Sequence, residues 1–248
     1  MKKVTTTAIL LAVTIMMVSA MLPDNEHIFQ EITNGDKENY YPNLMMRFEL
    51  GDTTLTLNNY HYLYYGFAHQ SDYKPHAINP EMDKFLLLAS GIDPDAPNAE
   101  TLRRIISVGQ DALIYDPFNL KVWNMLAFAY GALGAEEQER AAYDRVEKIV
   151  ATIKATGNGV EERSPQHILM FDHAVDIMAI EGLNHTKAMV VSRTVEYIPL
   201  IAPLNTNEKK VRGFYFDFSR IYWNKPDSVT FKRDRTWQFN NTKPKEYK

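Results

Sequence analysis

The side chains best suited to chemistry in this chain crowd into one window, Tyr60-His61-Tyr62-Leu63-Tyr64-Tyr65-Gly66-Phe67-Ala68-His69, and run on to Tyr73 and His76. Phenol and imidazole rings offer rigid area with a polar tip, which suits the binding of peptide or sugar. Tyr60, Leu63, Tyr64 and Phe67 recur at i, i+3, i+4 and i+7 and so form the core stripe of a helix. Tyr62, Tyr65 and His69, at i, i+3 and i+7, then form a second stripe and are the candidate contact residues for a ligand or partner. The plainer reading of the same pattern is a helix buried on both sides, because tyrosine is often partly buried.

Other combinations fail on spacing. His61 and His69 are eight apart, more than two helical turns, too far for one metal ion on that helix. Only His76, swinging in from the following loop, would extend such a site, and no compact ligand spacing supports it. Asp93-Pro94-Asp95 opens like a calcium loop, but the sixth position is not glycine and the twelfth is Arg104 instead of glutamate. Ser71-Asp72 beside His69 and His76 has the residue types of a nucleophilic triad without a diagnostic frame. Glu49 and Asp52 are a conceivable carboxylate pair, yet Asp52 is more simply a turn residue. His167 and His173 flank a candidate strand and read as ordinary surface or core histidines. The sequence contains no Gly-x-Ser-x-Gly elbow, phosphate loop, dinucleotide fingerprint or His-Glu-x-x-His. No catalytic residue is assigned, and neither a metal nor a cofactor is expected.

Composition narrows the setting. The chain has no cysteine, which rules out disulfides, thiolate metal sites and thiol nucleophiles. Its formal charge of −4 argues against nucleic acid as partner, which would require a basic face. Met1-Lys2-Lys3 followed by the apolar run Val4–Val18 and the small residues before Met21 reads as a secretion signal cleaved after Ala20. The run is short for a bilayer span, and no later segment is long and apolar enough to be one. A lipoprotein is excluded because acylation at the leader needs a cysteine. The expected location is therefore periplasmic or secreted.

The elements that position the aromatic window follow from periodicity. Residues 24–50 give two short helices, with Pro42 suited to the start of the second. Thr56 N-caps a helix over about 57–69, with Asn59 at the capping-box position. Asn79-Pro80 opens another helix, with Phe85 and Leu88 among its buried candidates. Leu102, Ile105, Ile106, Gly109, Ala112 and Leu113 line a helix that stops before Asp116-Pro117. Trp123, Leu126, Ala127 and Tyr130 repeat the stripe, Gly134 marks a turn, and Tyr143, Val146, Ile149, Val150 and Ile153 give a third helix. After Thr156-Gly157-Asn158-Gly159 the pattern changes. Segments 166–171, 187–201 and 211–223 are rich in Val, Ile, Tyr and Phe, and Phe214, Phe216 and Phe218 alternate with Tyr215 and Asp217 at the period of a strand. Residues 172–182 are compatible with helix or strand, and Pro199 and Pro203 place the end of their strand at a sheet edge. The fold class is α+β: an N-terminal stack of antiparallel helices followed by a small, mostly antiparallel β-sheet. The organisation expected is a signal peptide over 1–20, a helical region over 21–155, a β-rich region over 156–223 and a tail over 224–248.

Two resemblances accompany these patterns. Pro117, Trp123, Leu126, Ala127, Tyr130 and Gly134, preceded by Ala112-Leu113 and Asp116-Pro117, resemble one and a half tetratricopeptide repeats. Glu139 and Val146 depart from that pattern at positions that are usually small. Tyr40-Tyr41-Pro42, Asp52-Thr53-Thr54-Leu55-Thr56, Leu63-Tyr64-Tyr65-Gly66, Tyr73-Lys74-Pro75, Thr156-Gly157-Asn158-Gly159 and Gly213-Phe214-Tyr215-Phe216 resemble the exported bacterial family described as domain of unknown function 4919, typical of Bacteroidetes. That resemblance implies an exported helical protein with a C-terminal sheet and implies no activity.

Helical stacks make grooves that hold peptides and proteins, so the leading expectation is a non-enzymatic periplasmic binding protein with a protein or peptide partner. Two alternatives stay open: a hydrolase or transferase acting on envelope peptides or glycans, with its site where the aromatic helix meets the His69–His76 loop, and a sugar-binding accessory protein. An enzyme should hold a histidine within hydrogen-bond reach of a serine or carboxylate in a cleft. Oligomeric state is not legible in the sequence.

Overall fold

The computed structural model describes residues 20–205 and 210–223. The secretion signal proposed over residues 1–20 and the tail over 224–248 therefore lie outside the described residues, except for Ala20.

Among the described residues, seven helices come first: α1 (Asn25–Thr33), α2 (Tyr41–Glu49), α3 (Leu57–Phe67), α4 (Met82–Ser90), α5 (Ala99–Leu113), α6 (Leu120–Ala132) and α7 (Glu136–Lys154). They are followed by β1 (Gln166–His167), α8 (Phe171–Ile180), β2 (Met189–Val190), β3 (Val195–Asn205) and β4 (Lys210–Asp217), then a 3-10 turn over Ser219–Tyr222. The architecture is α+β, as the periodicity indicated. α5 and α7 pack on opposite sides of α6, α4 packs on α5, and α1, α2 and α7 surround α3.

The starts of these helices are set locally. Thr56 Oγ1 accepts from the Asn59 amide while Asn59 Oδ1 accepts from the Thr56 amide, a complete capping box. Asp24, Asn98 and Asn119 cap α1, α5 and α6 through their side-chain oxygens. Gly109 lets α5 approach its neighbours closely. A Cβ there would lie 2.9 Å from Leu126 Cδ2 and 3.1 Å from Phe85 Cε2, so a larger residue requires those side chains to give way.

The sheet has the order β1-β4-β3-β2. β1 runs parallel to β4, and the β2–β3 and β3–β4 pairs are antiparallel. Phe214 and Phe216 pair with Ile198 and Glu196 across the face turned to the helices. The prolines fall in an inner strand and not at an edge. β3 lies between β4 and β2, with Pro199 opposite Gly213, and the register breaks between Pro199 and Leu204. A missing N–H is tolerated there because the ladder is already interrupted. The ambiguous stretch 172–182 is the helix α8, closed by Gly182 at φ +66° with the Leu183 amide donating to Met178 O. Only Gln166 and His167 of the expected strand 166–171 are extended in the sheet.

Two clusters form the core. The larger gathers Ile28, Leu44, Phe48, Tyr64, Ile149 and Ile153 from the helices and Phe118 from the α5–α6 turn with Ile198, Phe216 and Phe218 from the sheet side. The smaller lies among α4, α5 and α6 around Phe85, Leu102, Ile105, Val122 and Leu126. α3 stands in the middle of the larger cluster, which places the chain that follows it, residues 68–81, on the surface above the core.

Candidate functional site

Tyr64 and Tyr65 of α3 and Tyr73 of the loop after it point inward and bond to one stretch of backbone. The Tyr65 hydroxyl donates to His167 O at 2.9 Å and the Tyr73 hydroxyl donates to Leu169 O at 2.7 Å. The Tyr64 hydroxyl accepts from the Leu169 amide at 3.1 Å and lies 2.7 Å from His173 Nδ1. Residues 168–170 are buried or half-buried without belonging to helix or sheet, so their polar groups need side-chain partners. Burial pushes the Tyr64 phenol well above its ordinary value, and burial raises Tyr65 and Tyr73 as well.

The three candidate contact residues therefore separate. Tyr65 is fully buried, its ring stacked edge-on to Tyr64. Tyr62 is half-buried, with its hydroxyl 3.1 Å from Nε2 of His27 on α1. His69 is half-buried between Phe29 and Trp223. The helix buried on both sides is the arrangement observed. His61, on the same helix, is buried too. Desolvation, with Arg220 and His27 nearby, holds its pKa down at about 4, and its Nδ1 has no hydrogen-bond partner among the described residues.

His69 lines a cavity. It borders a pocket of about 860 Å³ with Gln70, Tyr73, Lys74, His76 and Trp223. This is the place where the aromatic helix meets the His69–His76 loop. A second pocket, of about 620 Å³, shares Lys74, Pro75 and Ala77 with the first and opens on the other flank of the loop. Its walls come from three separate stretches: the loop with the first turn of α4 (72–83), the α5–α6 turn (114–119) and the start of α8 (170–172).

The second pocket is acidic and apolar at once. Asp72, Asp83, Asp116 and Asp172 face it against the single cation Lys74. Ile78, Ile114, Tyr115 and Phe171, all exposed, supply the apolar lining. Asp116 is the fixed member. Its Oδ1 accepts from the Phe118 amide, and its Oδ2 accepts from Asn119 Nδ2 and His173 Nε2, each at 3.2 Å. The neutral Tyr64 phenol donates to His173 Nδ1, which leaves the proton on Nε2 to donate to Asp116. One carboxylate at the pocket wall is thus held by a buried histidine and tyrosine behind it. Such an arrangement can receive a cation beside apolar groups. Among the described residues, no group of three or more His, Asp or Glu is placed to hold a metal ion.

Sequence spacing did not indicate this pocket, because Asp116 reads locally as a turn residue and Asp172 opens a stretch compatible with helix or strand. The exposed run Ile114-Tyr115 next to Asp116-Pro117 was the available signal. A family model for a domain of unknown function (DUF4919) matches residues 26–226. Among curated proteins and among solved structures, none matches the chain.

Proposed function

We propose a function from the premise that the chain belongs to the family described as a domain of unknown function (DUF4919): it is an exported binding protein that receives a peptide or protein segment in the acidic pocket beside the 68–81 loop. The observation that carries the reading is the pairing of four aspartates with Ile78, Ile114, Tyr115 and Phe171 in one pocket. A segment presenting basic and apolar side chains matches that lining in charge and in polarity. Export rests on the Met1–Ala20 pattern, with cleavage after Ala20 in a bacterial, Bacteroidetes-type cell. The tetratricopeptide-like reading of α5–α7 rests on α6 packing against both its neighbours and on Trp123 Nε1 donating to Pro117 O at 2.8 Å across the turn. A stack of that kind places its connecting turns on one surface.

The test is site-specific photo-crosslinking in the native envelope, with the probe at Ile114 or Phe171 and a control probe at Met46, which is 54 % exposed on α2. Adducts to one partner from positions 114 and 171, absent at 46 and lost when Asp72 and Asp172 become Asn, are expected. Equal labelling at all three positions, or none, would sink the reading.

A second reading, a hydrolase or transferase acting on envelope peptides or glycans, is favoured by His173 standing 3.2 Å from Asp116 beside the pocket. In that arrangement the histidine is fully buried and the carboxylate faces the pocket, so Asp116 would be the group in contact with substrate. A product released from envelope fragments by the purified protein and abolished by Asp116→Asn would replace binding with catalysis.

A further inference from the structure

Met21, the first residue after the proposed cleavage point, is already built into the fold. Its backbone nitrogen donates to Ala155 O at 2.8 Å, and Ala155 is the C-cap of the 19-residue α7. The last carbonyls of a helix have no partner within it and carry the negative end of its dipole. Two residues on, Arg220 Nη2 donates to Pro23 O at 2.8 Å and to Asn25 Oδ1 at 2.7 Å. Arg220 is itself buried, stacked 5.2 Å from the centroid of Tyr65. Segment 21–25 is therefore fixed at two points, unlike most chain ends.

We infer that removal of the leader after Ala20 creates a structural cation: the new α-ammonium of Met21 seats on the C-terminus of α7 and stabilises the processed protein relative to the unprocessed one. In the precursor the same nitrogen is an amide with one N–H and no charge. Cleavage hydrolyses the Ala20–Met21 peptide bond, consuming one water and leaving a carboxylate on the leader and an ammonium on Met21. The nitrogen keeps its place against Ala155 O and gains a charge of the sign that the helix end favours. Processing would thus complete the fold as well as release it. The inference rests on the export reading given above.

Near the ends of the elements that meet there stand Lys154 in the last turn of α7, bonded to Glu181 after α8, Asp24 and Glu26 at the start of α1, and Arg220 with His167 and Asp217 behind it. All are common to the two chains, which differ only in the two added residues and in moving the α-ammonium from Met21 to the start of the extension. A seated ammonium has its pKa raised above the ordinary α-amino value of about 7.7. Its contribution is fully present below that value and is lost as pH rises through the raised one.

The experiment compares thermal unfolding of a chain beginning at Met21 with one that keeps Ser19 and Ala20 ahead of it. At pH 6.5 the Met21 chain is expected to melt higher by about 2 °C, a difference that disappears by pH 10. Equal melting at pH 6.5, or a gap that persists at pH 10, overturns the seated charge. The intact mass of the exported protein checks the premise separately: a mature form beginning at another residue overturns cleavage after Ala20, whatever the melting curves show.

Discussion

Asp116 and His173, 57 residues apart in the chain, meet at 3.2 Å through Oδ2 and Nε2 at the boundary between the acidic pocket and the core. Tyr64 completes the line from the other side of the imidazole, at 2.7 Å. The histidine joins the turn before α6 to the first turn of α8, so the pocket wall is bonded directly to the centre of the fold.

Tyr64→Phe should therefore weaken the fold and not merely relax it. The substitution leaves the Leu169 amide and His173 Nδ1 without their partner in a fully buried setting. Loss of a buried polar group's partner costs about 1–3 kcal/mol. Urea unfolding at pH 7 measures it, and nitrogen NMR of His173 should show the proton on Nε2 in the parent. A variant as stable as the parent would mean that the relay contributes nothing to the fold.

Arg145 plays a comparable part at the opposite end of the helical layer. From α7 it reaches the C-terminus of α2, where Nε and Nη2 donate to Phe48 O at 3.2 and 2.6 Å and Nη2 also donates to Glu49 O at 3.1 Å. Its guanidinium lies 4.2 Å from the Trp123 ring centroid. A lysine keeps the charge but has neither the fork nor the flat face. Arg145→Lys is expected to cost about 1–3 kcal/mol in urea unfolding. A loss no larger than that of an exposed control such as Arg163→Lys would contradict the cap.

Glu196 gives the sheet a pH dependence of its own. It sits on the core-facing side of β3 opposite Phe216, 7 % exposed, and desolvation raises its pKa. A carboxyl whose folded pKa is raised contributes stability below its unfolded value and loses it as pH rises through the folded one. Glu196→Gln removes the buried charge and should raise the melting temperature at pH 8 while leaving pH 4 nearly unchanged. A variant that melts lower at pH 8 would show that the ionised carboxylate is a net stabiliser.

The fold was largely legible where the signal is local. The capping box at Thr56 and Asn59 needs only a three-residue spacing, and the β4 alternation of Phe214 and Phe216 with Tyr215 and Asp217 needs only a period of two. α8 was ambiguous because Phe171–Ile180 carries apolar residues on too many positions for one period to dominate. The Tyr62, Tyr65 and His69 stripe does not form one surface, because α3 ends at Phe67 and the partners that bury Tyr65 are some hundred residues away. The backbone of His167 and Leu169 has no hydrophobic signature to announce that it needs phenol partners. The acidic pocket was hidden for the same reason: Asp72, Asp116 and Asp172 become neighbours of one space only after three loops have folded together.

Asp217, the last residue of β4, titrates in the opposite sense to Glu196. Burial opposes its charge, but the His167 imidazole, whose Nδ1 lies 3.5 Å from Oδ1, and hydrogen bonds from Ser219 outweigh that and bring the carboxyl down to about 2. Ser219 contributes twice, its amide at 2.9 Å and its hydroxyl at 2.5 Å to the same Oδ1, which starts the 3-10 turn that carries Arg220. A depressed carboxyl contributes stability above its unfolded pKa, near 3.8, and loses it as pH falls toward 2. The size of the shift corresponds to about 2 kcal/mol at neutral pH. Asp217→Asn should therefore be destabilised by that order at pH 6 to 7, with the gap to the parent closing between pH 4 and 2. Because Arg220 holds Pro23 and Asn25, the variant should also show faster amide exchange over residues 21–25. A gap that stays constant down to pH 2 would place the loss in packing, and unchanged exchange at 21–25 would separate the turn from the anchoring of the N-terminal segment.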